Sequence, residues 1–469
     1  MTDTYDVVIL GAGPTGEHAA GRLRKRGLSV ALVEAELAGG ECSYYACMPS
    51  KTLLRPGAVL ATARRVPGVR EAVTGELSAE AALARRDWMT SDLHDDGQVE
   101  WIASVGATLV RGEGRLAGVR RVAVTTPAGG EVELEARRAV IVATGSAPAV
   151  PPVPGLAEAR PWSNREITSA KQVPASLIVL GGGPVGVEMA QAWFRLGCAS
   201  VLLLEVGERL LAAAEPFAGE LLKEALVAEG IDVRTGAHLA SVGREGDGPF
   251  RALLDDGSEQ VAEELLVAAG RRPRVDGIGL ESVGLAVGRA LETDDHLRAR
   301  GVEGEWLYAI GDVNGRAALT HMGKYQARVA VDTICGDEIE DVADHGIAPG
   351  VVFTDPEVSW VGLTEAAARE QGIAARVVSC PLESVAAAAI WGEELTGRCQ
   401  LVVDTERETI VGATFVGSDT AELLHGATIA IAGGVPLTTL RHAVAAFPSL
   451  SEVWLELVEG YFLPDVASA

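Results

Sequence analysis

Two stretches of this chain are written in one grammar. Gly11-Ala-Gly13-Pro14-Thr15-Gly16 follows an apolar run, Tyr5 to Leu10, and leads into a helical stretch, Glu17 to Arg26. A second apolar run, Val30 to Val33, then ends in Glu34. Farther on, Leu177 to Leu180 leads into Gly181-Gly-Gly183-Pro184-Val185-Gly186, and Val201 to Leu204 ends in Glu205. Strand, glycine turn, helix, strand, acid is the pattern of a dinucleotide-binding unit. Its first glycine permits a tight turn. The second lets a pyrophosphate approach the backbone, the third lets helix and strand pack closely, and the acid accepts hydrogen bonds from a ribose. A lone GxGxxG carries little weight. An acid 23 positions after Gly11, or 24 after Gly181, carries much more. Two such units imply two nucleotides on an α/β fold. At the second unit Glu205 favours a free 2′-hydroxyl, hence NAD over NADP, because a 2′-phosphate would face a carboxylate. Arg209 leaves two readings open, a phosphate contact or a solvated loop charge.

Directly after the first unit stands Gly40-Glu-Cys42-Ser43-Tyr44-Tyr45-Ala46-Cys47-Met-Pro-Ser-Lys51. A bridge across Cys-x4-Cys closes a ring too small to staple distant parts of a fold, and the chain-entropy model values it at about 2 kcal/mol. A thiol pair beside a redox cofactor reads better as an electron relay, because dithiol and disulfide interconvert by two-electron chemistry. The other four cysteines, Cys198, Cys335, Cys380 and Cys399, have no informative spacing and read as core or incidental thiols. No metal centre is expected.

The length of 469 residues is enough for two to four domains. A net charge of −25 argues against nucleic acid and anionic membrane as partners. The N-terminal apolar run ends at once in Gly11, so it reads as a strand rather than a signal peptide. The longest candidate span, Ala427 to Phe447, is broken by Gly433, Gly434, Pro436, Arg441 and His442. These features lead us to expect a cytoplasmic protein. Residues 55 to 100 read as largely helical. Val119 to Val124 and Glu131 to Glu135 read as a hairpin, and Ala139 to Ala143, before Thr144-Gly145, as a buried strand. Leu265 to Ala269 precedes Gly270-Arg-Arg-Pro273, and Leu307 to Ile310 precedes Gly311-Asp312. That aspartate either receives a hydroxyl of a cofactor's chain or caps a helix beginning near Ala317. After about residue 343, strands alternate with Ala-rich helices, which marks a separate α+β domain.

Together these motifs resemble the FAD-dependent pyridine nucleotide–disulfide oxidoreductases, the group of dihydrolipoamide dehydrogenase, glutathione reductase and mercuric reductase. The likeness spans nearly the whole chain, down to Phe447-Pro-Ser-Leu-Ser-Glu452. It implies two Rossmann-like dinucleotide-binding domains plus a C-terminal α+β dimerisation domain. The expected divisions are 1–150 (FAD-binding, first part), 151–272 (NAD-binding), 273–342 (FAD-binding and central, second part) and 343–469 (dimerisation). It implies FAD on Gly11, Gly13, Pro14, Thr15, Gly16, Glu34, Gly40, Lys51, Thr144, Gly145, Gly311 and Asp312. It implies NAD(H), with NADP(H) less favoured, on Gly181, Gly183, Pro184, Val185, Gly186, Glu205 and Gly270. Cys42, Cys47, Lys51, Glu188 and Glu452 are then the catalytic set: Cys47 faces the flavin, Cys42 exchanges, and Lys51 pairs with Glu188. The expected partners are a second copy of the chain and a small-molecule electron acceptor.

Three departures qualify the likeness. The family's disulfide reductases carry a histidine where this chain has Phe447, and such a base contributes about 10²–10⁴-fold. Efficient dithiol exchange is therefore in doubt unless His442 substitutes. Tyr44 and Tyr45 stand between the cysteines, where they crowd the disulfide, stack on a flat substrate or simply pack. Mercuric reduction is disfavoured, because the sequence closes on Phe462 to Ala469 without a cysteine pair. The expected function is electron transfer from NADH through flavin to a disulfide, quinone or other small acceptor. The alternatives are a dihydrolipoamide dehydrogenase-like reductase with a substitute base, or a flavin-based redox sensor.

Overall fold

Val7 to Leu10, the end of the apolar run Tyr5 to Leu10, is apolar on both sides, as a strand covered on two faces must be. In the computed structural model, which describes residues 2–463, it forms the end of the strand Thr2–Leu10. Val30–Glu34 pairs with it in parallel on one side and Thr108–Arg111 lies beyond. On its other side lies Glu131–Val142, also parallel. The two runs expected as Glu131 to Glu135 and Ala139 to Ala143 are thus one strand. Its first half pairs with Arg121–Thr125 and its last residues with Leu307–Ala309, so one long strand serves two neighbours along the same edge. Val7, Ile9, Leu32 and Ile141 lie in one core on this sheet, and Val8, Leu10, Val33 and Val140 in another. This unit comprises residues 1–49, 85–149 and 271–345.

The second unit comprises residues 50–84, 150–270 and 346–469. It repeats the pattern: Ser176–Leu180 is flanked in parallel by Ser200–Glu205 and Glu264–Val267, with Asp232–Thr235 outermost. A five-stranded antiparallel sheet follows, in the order Gly350–Val352, Glu357–Gly362, Thr409–Gly417, Arg398–Asp404, Ala375–Pro381. Residues 50–84 were read from the sequence as part of the first nucleotide-binding piece. They pack here instead: Leu53, Leu54, Ala82 and Leu83 are buried with Leu177, Val179 and Trp193. A helix segment follows the apolar surface that buries it, not its neighbours in sequence.

The two turns are built alike. Gly11 and Gly181 have φ of +102° and +112°, which a side chain rarely tolerates. The helices Pro14–Lys25 and Pro184–Arg195 begin with proline, whose missing N–H costs nothing there. A Cβ on Gly16 would lie 2.0 Å from the Gly11 oxygen, and one on Gly186 1.8 Å from the Gly181 oxygen. A Cβ on Gly183 would meet nothing within 4 Å. Gly186→Ala is therefore expected to destabilise the protein by at least about 1–3 kcal/mol, while Gly183→Ala leaves the melting midpoint nearly unchanged. Calorimetry of the two variants checks this; equal losses would contradict it.

Candidate active site

In the first unit Gly39 and Gly40 both have positive φ, +104° and +57°. A Cβ on Gly40 would come within 2.9 Å of the Gly13 Cα. The two glycines let the chain double back against the first dinucleotide turn and start a short helix, Gly40–Tyr44, that carries Cys42. Tyr45 leaves helical geometry at φ −134°, and a new helix, Cys47–Arg65, starts two residues later. The break brings two half-buried thiols together. Contact with Cys47, toward which the Cys42 thiol is the donor, pushes that thiol far above its ordinary range together with burial. The pair therefore shares a proton: losing one is tolerable, and losing the second would set two like charges side by side. Cys47 Sγ lies 3.3 Å from the Thr320 hydroxyl and sits at a helix N-terminus, where thiolate is favoured. Lys324 supplies nearby positive charge that acts on both Cys42 and Glu17.

Tyr44 takes the packing role among the readings left open for it. It is buried, and its ring closes over Gly39, while Tyr45 meets it edge-on at 6.5 Å and stays partly exposed.

The residues around the first turn fit a dinucleotide. A Cβ on Gly13 would find only the Gly40 Cα, at 4.0 Å, so the backbone there is open to close approach. Glu34 accepts one backbone hydrogen bond on each oxygen, from Ala12 and Glu36, both 2.8 Å, which holds its remaining lone pairs at the strand end. Asp312 accepts the Ser146 hydroxyl and lies 4.0 Å from Arg271. It caps no helix: the next one, Thr320–Ile334, begins later, with Leu319 at its N-cap and no side-chain cap. The Gly311 N–H is held by Gln326 at 2.7 Å, and the Thr144 hydroxyl donates to the Arg274 carbonyl at 2.7 Å. Thr15 packs against Gly311. One oxygen of Glu17, on the helix after the turn, is buried without a hydrogen-bond partner.

In the second unit Lys51 donates to Glu188 at 2.7 Å. The Phe353 N–H donates to the other carboxylate oxygen at 3.0 Å, and the ammonium stands 5.3 Å from the Phe353 ring centre. Glu188 is nearly inaccessible, so its charge is matched on both oxygens, as a buried carboxylate requires. Glu205 reproduces Glu34, accepting the Gly182 and Gly207 N–H groups. Arg209 bends back onto the carbonyls of Ala212 and Ala214, at 2.8 and 3.3 Å, which leaves the loop-charge reading. Gly270, φ +117°, opens onto free space. Phe447 is 75% exposed and His442 is exposed, whereas one oxygen of Glu452 is buried without a partner. The sequence reading assigned no role to Thr320 and Lys324, on the helix Thr320–Ile334, or to Ser146, on the strand Ser146–Pro148, because none has a motif of its own. The cysteine-free ending at Pro464 to Ala469 lies outside the described residues.

A close thiol pair whose helix starts against a glycine turn of this kind is the apparatus of a nucleotide-dependent redox enzyme. Comparison with known proteins agrees. The sequence model described as pyridine nucleotide-disulphide oxidoreductase matches residues 5–327, and the dimerisation domain of the same group matches residues 348–458. A mercuric reductase from Staphylococcus aureus is 30% identical over 469 residues, 99% of this chain and 83% of that protein. A dihydrolipoyl dehydrogenase from Chlorobaculum parvum is 35% identical over 454 residues, 96% of this chain and 95% of that protein. Among solved structures, the HOCl-induced flavoprotein disulfide reductase RclA from Escherichia coli superposes with a TM-score of 0.85 at 25% identity, covering 98% of this chain and 99% of that one. LpdA from Mycobacterium tuberculosis gives 0.85 at 26% identity, covering 98% and 100%. The chain belongs to the pyridine nucleotide-disulphide oxidoreductases and is an NAD(P)H-dependent flavoprotein oxidoreductase. It carries that family's dimerisation domain, and no helix among the described residues is long and apolar enough to cross a membrane.

Burial raises the Glu17 carboxyl from its ordinary 4.5 to about 7, against the opposing pull of Lys324. The folded protein then holds this proton more tightly than the unfolded chain does. The stability it contributes is complete below about pH 4.5 and is lost as pH rises through about 7. Melting midpoints are expected to fall between pH 5 and pH 8. Glu17→Gln should remove up to about 3 kcal/mol of that fall, and an unchanged fall in the variant would overturn the assignment.

Proposed function

We propose that this enzyme takes electrons from NADH, in preference to NADPH, and passes them through the Cys42–Cys47 pair to a small acceptor that needs no histidine base. The observation that carries this is the adjacent Cys42 and Cys47 thiols, with the Thr320 hydroxyl 3.3 Å from Cys47 Sγ, in the unit built on the first glycine turn. Gly11, Gly13, Pro14, Thr15, Gly16, Glu34, Gly40, Thr144, Gly145, Gly311 and Asp312 are the residues proposed to hold FAD. Gly181, Gly183, Pro184, Val185, Gly186, Glu205 and Gly270 are those proposed to hold the nicotinamide dinucleotide. Bound FAD supplies a two-electron carrier between nicotinamide and sulfur. Cys47, at a helix start and beside a hydroxyl, keeps the thiolate, while Cys42 keeps the shared proton and exchanges with the acceptor. Lys51, four positions along the helix from Cys47, offsets negative charge that gathers on reduction, and Glu188 holds its ammonium in place.

The absent base narrows the acceptor. Phe447 moves no proton, exposed His442 makes no side-chain hydrogen bond to the described residues that would orient it, and Glu452 has no imidazole to orient in its own stretch of chain. A free thiol with a pKa near 8.5 costs about 2 kcal/mol to ionise at neutral pH without help. A quinone, another small electron acceptor or an unusual disulfide fits that economy better than a simple dithiol substrate. The 35% identity to a dihydrolipoyl dehydrogenase supports the second reading, lipoamide reduction with a substitute base.

Anaerobic stopped-flow mixing and an acceptor screen separate the two. NADH is expected to bleach the flavin within the mixing time; bleaching over minutes would favour a sensor. NADH should exceed NADPH at least tenfold in kcat/KM, because Glu205 opposes a 2′-phosphate. Lipoamide turnover should be slow and should rise about 10²-fold in Phe447→His, with quinone turnover unchanged. Fast lipoamide turnover that survives His442→Ala would overturn this reading of Phe447.

A further inference from the structure

Two cysteines outside the proposed relay meet in the C-terminal sheet. Cys380 lies on the strand Ala375–Pro381 and Cys399 on its antiparallel neighbour Arg398–Asp404, and the register sets them directly opposite. Directly opposed residues share a face of the sheet, and their Cα atoms stand about 4.5–5.5 Å apart. That spacing lies inside the range of about 4.4–6.8 Å that a disulfide spans without moving the backbone. Both side chains belong to the buried core of this sheet, with Phe415, Leu423 and Leu457. Cys399 is fully buried and Cys380 nearly so. The neighbouring Cys380 sulfur and burial hold the Cys399 thiol far above its ordinary range. No other sulfur among the described residues shares this core.

We propose that Cys380 and Cys399 form a second dithiol–disulfide couple, an oxidation site in the dimerisation domain that is separate from the Cys42–Cys47 relay. The oxidant assigned to it is a hydroperoxide, with hydrogen peroxide small and uncharged enough to enter an apolar core. The less buried Cys380 sulfur attacks a peroxide oxygen. The O–O bond breaks, the thiol proton leaves with the departing hydroxide as water, and Cys380 becomes a sulfenic acid. The Cys399 sulfur then attacks Cys380. The S–S bond forms, the S–O bond breaks, and the hydroxide leaves with the Cys399 proton as a second water. Two thiols and one peroxide thus become one disulfide and two waters. The bridge locks the ends of the segment between the strands, which carries the short helix Ala386–Trp391. It stabilises mainly by restricting the unfolded chain, and an added dithiol reverses it.

The test uses purified holoenzyme, reduced, desalted, exposed to hydrogen peroxide, alkylated under denaturing conditions and digested for mass mapping. The expected product is a Cys380–Cys399 linked peptide that dithiothreitol abolishes. Full recovery of both as alkylated thiols, at a peroxide dose that converts the Cys42–Cys47 pair, overturns the proposal. So does Cys380 oxidised to sulfinic acid with Cys399 left free. In parallel, oxidation should raise the melting midpoint by several degrees in Cys42→Ser protein and by nothing in Cys42→Ser/Cys399→Ala. An equal rise in both would also overturn it. The mass map of the unaltered enzyme decides the question if the Cys399 variant does not fold.

Discussion

Both nucleotide-binding units depend on the same close approach. A helix begins so near the carbonyl of the turn's first glycine that a single methyl group at Gly16 or Gly186 would lie about 2 Å from an oxygen. That contact sets where each helix N-terminus points and leaves the second glycine of each turn bare. Because the helix cannot back away from the strand, the strand end and its acid are held beside the turn. Glu34 and Glu205 each tie the turn's second residue, Ala12 or Gly182, to their carboxylates. The geometry of two ligand sites therefore follows from two pairs of glycines.

The thiols build on the first of these turns. Gly40 also comes close to Gly13, where a Cβ added to Gly40 would lie 2.9 Å from the Gly13 Cα, and this starts the short helix that carries Cys42. The sulfurs meet because the chain breaks helical geometry at Tyr45 and restarts at Cys47. Their chemistry is then set by neighbours from far along the sequence: the Thr320 hydroxyl and the Lys324 charge. The same logic governs Lys51 and Glu188. A carboxylate with so little access to water persists because an ammonium and a backbone N–H occupy its two oxygens.

The C-terminal domain shows the opposite balance. Its sheet and core are well made, yet the position where the family's disulfide reductases carry a histidine holds an exposed phenylalanine, and Glu452 is left with a buried, unpartnered oxygen. An orphaned carboxylate is costly. The same domain holds the Cys380–Cys399 contact in its core, away from any motif.

Sequence alone was enough for the two glycine turns, the closely spaced Cys42 and Cys47 and the α+β character of the C-terminal part. Each of these is a local pattern: a glycine that only a tight turn needs, an acid at a fixed distance, apolar runs of strand length. What tertiary structure alone decided is which distant residues became neighbours. Residues 50–84 joined the second unit because their apolar face found its core there. Asp312 was bound to Ser146 instead of capping a helix. Thr320 was brought to Cys47, and Cys380 was set against Cys399. Antiparallel register, which no spacing along the chain encodes, turned two cysteines 19 residues apart into a pair.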